Sequence, residues 1–216
     1  MSSPYAYADA QIDKLKKYIS AEFQNEMNAL PFDELNVAKV QEQGKALFNR
    51  LKARNRVVFK RVAKSAYQEA ITEVRRAGFE ASSDTDGVET ALIVALLARY
   101  HPVSEYVYNN ELLRKRDRLC EAVSSASNRQ AVRGAFERTA RLWFNQSRQY
   151  VDFTVDEARL QAFSDAGVRE VIWVAELDAK TCSECKERDG TIYPIDRVPN
   201  KPHRGCRCHL RAVVRK

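Results

Sequence analysis

One stretch toward the C-terminal end constrains the fold more than any other. It reads Cys182-Ser-Glu-Cys185, then seventeen residues, then His203-Arg-Gly-Cys206-Arg-Cys208. A Cys-x2-Cys turn sets two thiolates on one side of a knuckle, and a second ligand pair from a distant turn completes a tetrahedron around a metal ion. Here the second pair comes from His203, Cys206 and Cys208. The spacing predicts a Zn2+ site of Cys182, Cys185, His203 and Cys206, with Cys208 as the alternative fourth ligand. His203-x2-Cys206 repeats the gap of the first pair, and Gly205 can take a positive φ to tighten that turn. Four protein ligands close a site, which makes it structural rather than catalytic. Three thiolates and one imidazole on Zn2+ leave a formal charge of about −1, which Lys180, Lys186, Arg204 and Arg207 can offset. The competing readings are a redox dithiol, a disulfide and free buried cysteines. A thioredoxin-like centre needs its motif at the start of a helix after a buried strand in a βαβ unit, and no such unit follows. Cys120 stands apart and reads as a small core residue.

The rest of the chain predicts a mainly α protein: a helical N-terminal part with long helices over 1–127, then a small α+β zinc-stabilised module over 128–216. Gly and Pro are sparse until about residue 167 and dense after it. Ile12, Leu15, Ile19, Phe23 and Met27 recur every three or four residues and predict a helix over Ala8–Ala29. Asp33 is its successor's expected N-cap. A long helix follows over Glu34–Ala77, bent or broken at Gly44 and stopped by Gly78. Asp84–Asp86 opens an apolar helix over Val88–Arg99, and Pro102 restarts the chain as a helix to about Ser125. Asn128 is the expected cap of a helix to about Val151. Thr154-Val-Asp-Glu157 reads as a capping box starting a separate short helix that ends at Gly167. Glu170–Glu176 is β-branched and aromatic, a strand, joined by strands at Thr191–Tyr193 and Leu210–Val214. Phe136 and Trp143 read as packing aromatics.

Composition excludes several classes. The longest apolar run, Ala91–Ala98, is far short of the roughly 18–20 residues of a membrane-spanning helix. The first residues lack the basic and apolar regions of a signal peptide, and five cysteines are an odd count for a disulfide framework, so the chain is expected in a reducing cytoplasm. The formal net charge is +7, which favours a polyanionic partner, nucleic acid first. Arg50, Arg54, Arg61 and Lys64 fall near one face of the long helix, with no acid in the run Arg50–Lys64. They are the candidate contacts to nucleic acid or to an acidic partner, made to the phosphate backbone because no base-reading motif is present. Arg114–Arg118 and the tail from Arg197 are two further basic clusters.

The Cys/His stretch also carries a resemblance. Trp173, Asp178, Thr181-Cys182-x-x-Cys185, Asp189-Gly190, His203-x-x-Cys206-Arg207-Cys208, Leu210 and Val213 resemble the C-terminal signature of phage minor head proteins of the Mu F-like head morphogenesis family. Upstream, Arg138-Thr139, Asn145 and Gly167-Val168 extend it over roughly Arg138–Val214. That family commonly has proline on both sides of its histidine, whereas here Pro202 precedes His203 and Arg204 follows. The resemblance implies a non-enzymatic virion protein made in the host cytoplasm and placed in the capsid interior or at the portal vertex. It would act in procapsid assembly with the portal protein and the major capsid or scaffolding protein, and in DNA packaging or delivery. Two other readings stand beside it: a zinc-containing nucleic-acid module with no capsid role, and a nuclease built on Asp178, Asp189 or His203. The chain has no Walker loop, nucleophile elbow or ββα metal arrangement, so no enzyme is expected.

Overall fold

The computed structural model describes residues 3–30, 37–81, 105–179, 181–203 and 205–213. The apolar helix expected over Val88–Arg99, its opening at Asp84–Asp86, and Asp33 and Pro102 lie outside them. The described chain is mainly helical with a small antiparallel sheet at its C-terminal end. Its elements are α1 (Ala6–Ala29), α2 (Val37–Arg76), α3 (Glu105–Ser124), α4 (Arg129–Asp165), β1 (Glu170–Val174), α5 (Ser183–Arg188), β2 (Ile192–Pro194) and β3 (His209–Ala212), with a 3-10 turn at Ile195–Arg197. None of these helices is long and apolar enough to cross a membrane.

The chain divides into two compact units, and α2 and α4 each contribute to both. One unit comprises the described residues of Asp9–Phe59 and Ala95–Val151. Its core is built from the α1 stripe Ile12, Leu15, Ile19 and Phe23, with Leu47, Phe48 and Leu51 of α2, Leu112, Leu119 and Val123 of α3, and Val132, Phe136 and Trp143 of α4, all buried. Trp143 is its centre: Phe23 and Phe48 meet the indole edge-on, with centroids 5.6 and 5.8 Å away, a geometry that aligns ring edges with ring faces. Phe136 and Trp143 are thus packing aromatics. Asn128 caps α4 as the sequence predicts, its Oδ1 accepting from Ala131 N at 2.9 Å. Gly44 does not break α2, which runs continuously over Val37–Arg76. An added Cβ there would stand 3.1 Å from Cys120 Sγ, so the glycine is a close approach between α2 and α3.

The other unit comprises the described residues of Met1–Ala8, Lys60–Val94 and Asp152–Lys216. Here Val62, Ala66, Tyr67, Ala70, Ile71 and Val74 of α2 are buried, as are Val155, Ala158, Ala162 and Phe163 of α4. Tyr67 donates to Asp165 Oδ2 at 2.8 Å, and Arg159 pairs with Glu73 at 2.6 Å and donates to the Leu210 carbonyl at 3.1 Å.

The capping box expected at Thr154–Glu157 is not a helix start. Arg129–Asp165 is one helix of 37 residues. Thr154 and Val155 are both buried within it, between buried Val151 and Ala158. The apolar stripe runs straight through the motif, so tertiary burial overrides the local cap, and no Gly or Pro interrupts the chain between Gly134 and Gly167.

The sheet positions the site. Its order is β2-β1-β3, with Val171 opposite Tyr193 and Trp173 opposite Leu210. Strand alternation buries Val171 and Trp173 on one face. Because β3 runs antiparallel and His209 pairs with Val174, the residues just before β3 arrive where β1 ends. The connection leaving that same end carries Cys182 and Cys185.

Candidate metal centre

The two connections bring five ligand-bearing side chains together. The ligand atoms of Cys182, Cys185 and His203 lie within 4.8 Å of one another, as do those of Cys185, Cys206 and Cys208. Cys185 belongs to both sets. Its Sγ is 3.7 Å from His203 Nε2 and 3.5 Å from Cys206 Sγ. Zn–S bonds of about 2.3 Å and Zn–N bonds of about 2.0–2.1 Å set the edges of a tetrahedron at roughly 3.5–3.8 Å. Both separations match those edges, and the donor set suits a tetrahedral ion, so the cluster can hold a metal.

Local structure explains each position. Cys182 is the N-cap of α5, and the Cys185 amide donates to its Sγ at 3.4 Å. The structure therefore places the Cys-x2-Cys turn at a helix start, which the sequence reading did not anticipate, but the helix has six residues and the sheet around it is antiparallel, not βαβ. Gly205 has φ +74° and the Cys206 amide reaches the His203 carbonyl at 3.4 Å, so the second turn is the tight knuckle expected of that glycine. Cys185, Cys206 and Cys208 are all buried, in one small core with Trp173 and Ala175, against which Cys182, Tyr193 and Leu210 pack. Arg188 covers the Trp173 ring at 5.2 Å and Tyr193 meets its edge at 6.4 Å. Asp189 accepts the Ala175 amide at 2.8 Å, and Asp178 accepts the Thr181 hydroxyl at 3.0 Å. Both carboxylates thus brace the loop that carries Cys182. His209, one residue past Cys208, faces another way: burial and the nearby Arg159 guanidinium lower its pKa to about 4.

The thiols differ in electrostatics. The Cys185 backbone amide at its sulfur lowers the Cys182 pKa, whereas burial raises those of Cys185 and Cys206. Metal binding must displace protons from the two raised thiols at neutral pH. Affinity therefore falls on acidification, by about tenfold per pH unit for each proton displaced and about 100-fold for two. Chelator competition between pH 6 and 7.5 should show a slope of at least two, and a flat profile would remove thiolate ligation.

The sequence-predicted cations fare differently. Arg50 pairs with Glu22 at 2.7 Å and also with Glu26 of α1, and Arg54 lies 5.3 Å over the Tyr18 ring. Arg61 and Lys64 are exposed. The run that is acid-free in sequence is therefore not acid-free in space. The same holds for the tail, where Lys201, Arg207 and Arg211 meet Asp156, Asp152 and Glu73 at 2.6, 3.2 and 3.9 Å. Lys180, Arg204, Arg215 and Lys216 lie outside the described residues. Sequence reasoning missed Tyr5, Asp152 and Asp156 and read Lys201 only as part of the basic tail; the side-chain pairings of these residues beside the Cys206–Cys208 turn span 45 to 196 residues and leave no local signal.

No family model, curated protein or solved structure matches the chain.

Proposed function

We propose that the protein is a non-enzymatic minor head protein of a tailed phage or prophage, with a structural Zn2+ held by Cys182, Cys185, His203 and Cys206. It acts in procapsid assembly near the portal, through contacts with the portal, scaffolding or major capsid protein. The observation that carries this reading is the convergence of the resembling residues on one knuckle. Trp173 packs under the thiols, Asp189 and Asp178 brace the loop, and Cys185 approaches both His203 and Cys206 at tetrahedral spacing. In this reading the signature encodes a metal-pinned knob, and its carboxylates are engaged in turns rather than aimed at a substrate. Zinc is favoured over other ions by the thiolate and imidazole donors, which suit a tetrahedral borderline-soft cation. The rival nucleic-acid reading leans on the α2 ridge, and there Arg50 is already matched by two carboxylates.

The test is co-production with the portal, scaffolding and major capsid proteins of its phage, followed by sedimentation of the particles. The protein should travel with procapsids and be lost from particles lacking the portal. A protein that stays at the top of the gradient in both cases refutes the assignment.

A further inference from the structure

Tyr5, the residue before α1, is fully buried. Its hydroxyl donates to Asp156 Oδ1 at 2.5 Å, and the Cys208 carbonyl lies 3.1 Å from the same oxygen. Lys201 donates to that hydroxyl, bonds Asp156 Oδ2 at 2.6 Å and reaches the Cys206 carbonyl at 3.2 Å. The Tyr5 ring carries the Lys201 ammonium 4.6 Å and the Arg207 guanidinium 4.7 Å from its centroid. Arg207 is itself held by Asp152 at 3.2 Å. A phenol and the ammonium bonded to it therefore hold the backbone carbonyls of two cysteines in the candidate ligand set. Lys201 and Arg207 also set two positive charges beside a centre whose thiolates outweigh its metal.

We propose that Tyr5 is a positioning residue of the metal centre: acting with Lys201, it fixes the Cys206–Cys208 turn in its ligating conformation. The inference rests on the metal reading of the cluster. Groups outside the ligand shell that orient ligands typically change metal affinity by about 10–100-fold. Coupling between two binding events is reciprocal, so metal binding in turn holds the segment around Tyr5 in place. Nothing in the ligand spacing announces this, because Tyr5 stands 151 residues from Asp156 and 203 from Cys208.

The experiment uses the full chain and zinc alone. Zinc affinity is measured by competition with a chromophoric chelator for wild type, Tyr5→Phe and Tyr7→Phe, and melting is recorded with and without zinc. Tyr5→Phe keeps the ring and its cation contacts and loses only the hydroxyl. It should weaken zinc binding by about 10–100-fold and shrink the rise in melting temperature that zinc produces. Tyr7→Phe, at a partly exposed position, should match wild type. Amide exchange in the first turn of α1 should slow when zinc is added to wild type and respond less in Tyr5→Phe. Should Tyr5→Phe fail to fold, Lys201→Gln carries the same expectation through the Cys206 carbonyl. Wild-type zinc affinity in the variant, with melting lowered equally in the presence and absence of zinc, would make Tyr5 merely structural and overturn the inference. Wild type that takes up no zinc would overturn the metal reading first, and the inference with it.

Discussion

Cys185→Ser is expected to empty the metal centre. Cys185 is the thiol shared by both ligand sets, and its sulfur makes tetrahedral-length approaches to His203 and to Cys206. A serine hydroxyl is a far poorer ligand for Zn2+ than a thiolate. Zinc contributes an apparent ~10–16 kcal/mol to the folding of small structural sites, and most of this disappears when one of four ligands is lost. Metal content should fall from one per chain to none. Cys182→Ser, His203→Ala and Cys206→Ala should behave the same way, while Cys208→Ala keeps its zinc. Cys120→Ala is the reference, because that thiol packs in the other unit against Val40 and Gly44. Zinc retained by Cys185→Ser, or lost from Cys208→Ala and kept by Cys206→Ala, would redraw the ligand set.

Stripping zinc from the wild type with a strong chelator should unfold the small sheet and leave the helices standing. The strands have five, three and four residues, and their core is Trp173, Ala175, Tyr193 and Leu210 against four cysteines. Such a core is too small to fold unaided, which is why small modules recruit metals. The helices around Trp143 have their own packed aromatics and need no ion. Helix makes up 71% of the described residues and α5 supplies only six residues of it, so far-ultraviolet dichroism should change little. In a Trp143→Phe background, Trp173 emission should shift to the red as the indole meets water, and return when zinc is restored. Emission that ignores the chelator would show that the sheet stands without a metal.

Much of this architecture is legible in the sequence. The i, i+3, i+4 stripe from Ile12 to Phe23, the Asn128 cap, the strand around Trp173 and the Gly205 turn are local signals, and local geometry carries them out. What the sequence could not show depends on distant partners. Thr154–Glu157 looks like a helix start because a capping box is a four-residue pattern, yet the burial of Val151, Thr154, Val155 and Ala158 is decided by what packs on α4. Arg50 looks like an unmatched cation because Glu22 and Glu26 lie on another helix. Tyr5 looks like any tyrosine ahead of a helix. The choice between Cys206 and Cys208 was equally hidden. The two residues are spaced alike for one strand face, both are buried, and the sulfurs of both lie within 4.8 Å of Cys185 Sγ, so the choice falls to the metal content of the variants.

X-ray absorption at the zinc edge of the purified wild-type chain, with the metal counted per protein, tests the central claim most directly. One zinc per chain is expected, with three sulfurs at about 2.3 Å and one nitrogen at about 2.0–2.1 Å. A shell of four sulfurs would exclude His203 in favour of Cys208, and an oxygen-dominated shell or a metal-free protein would contradict the metal centre itself.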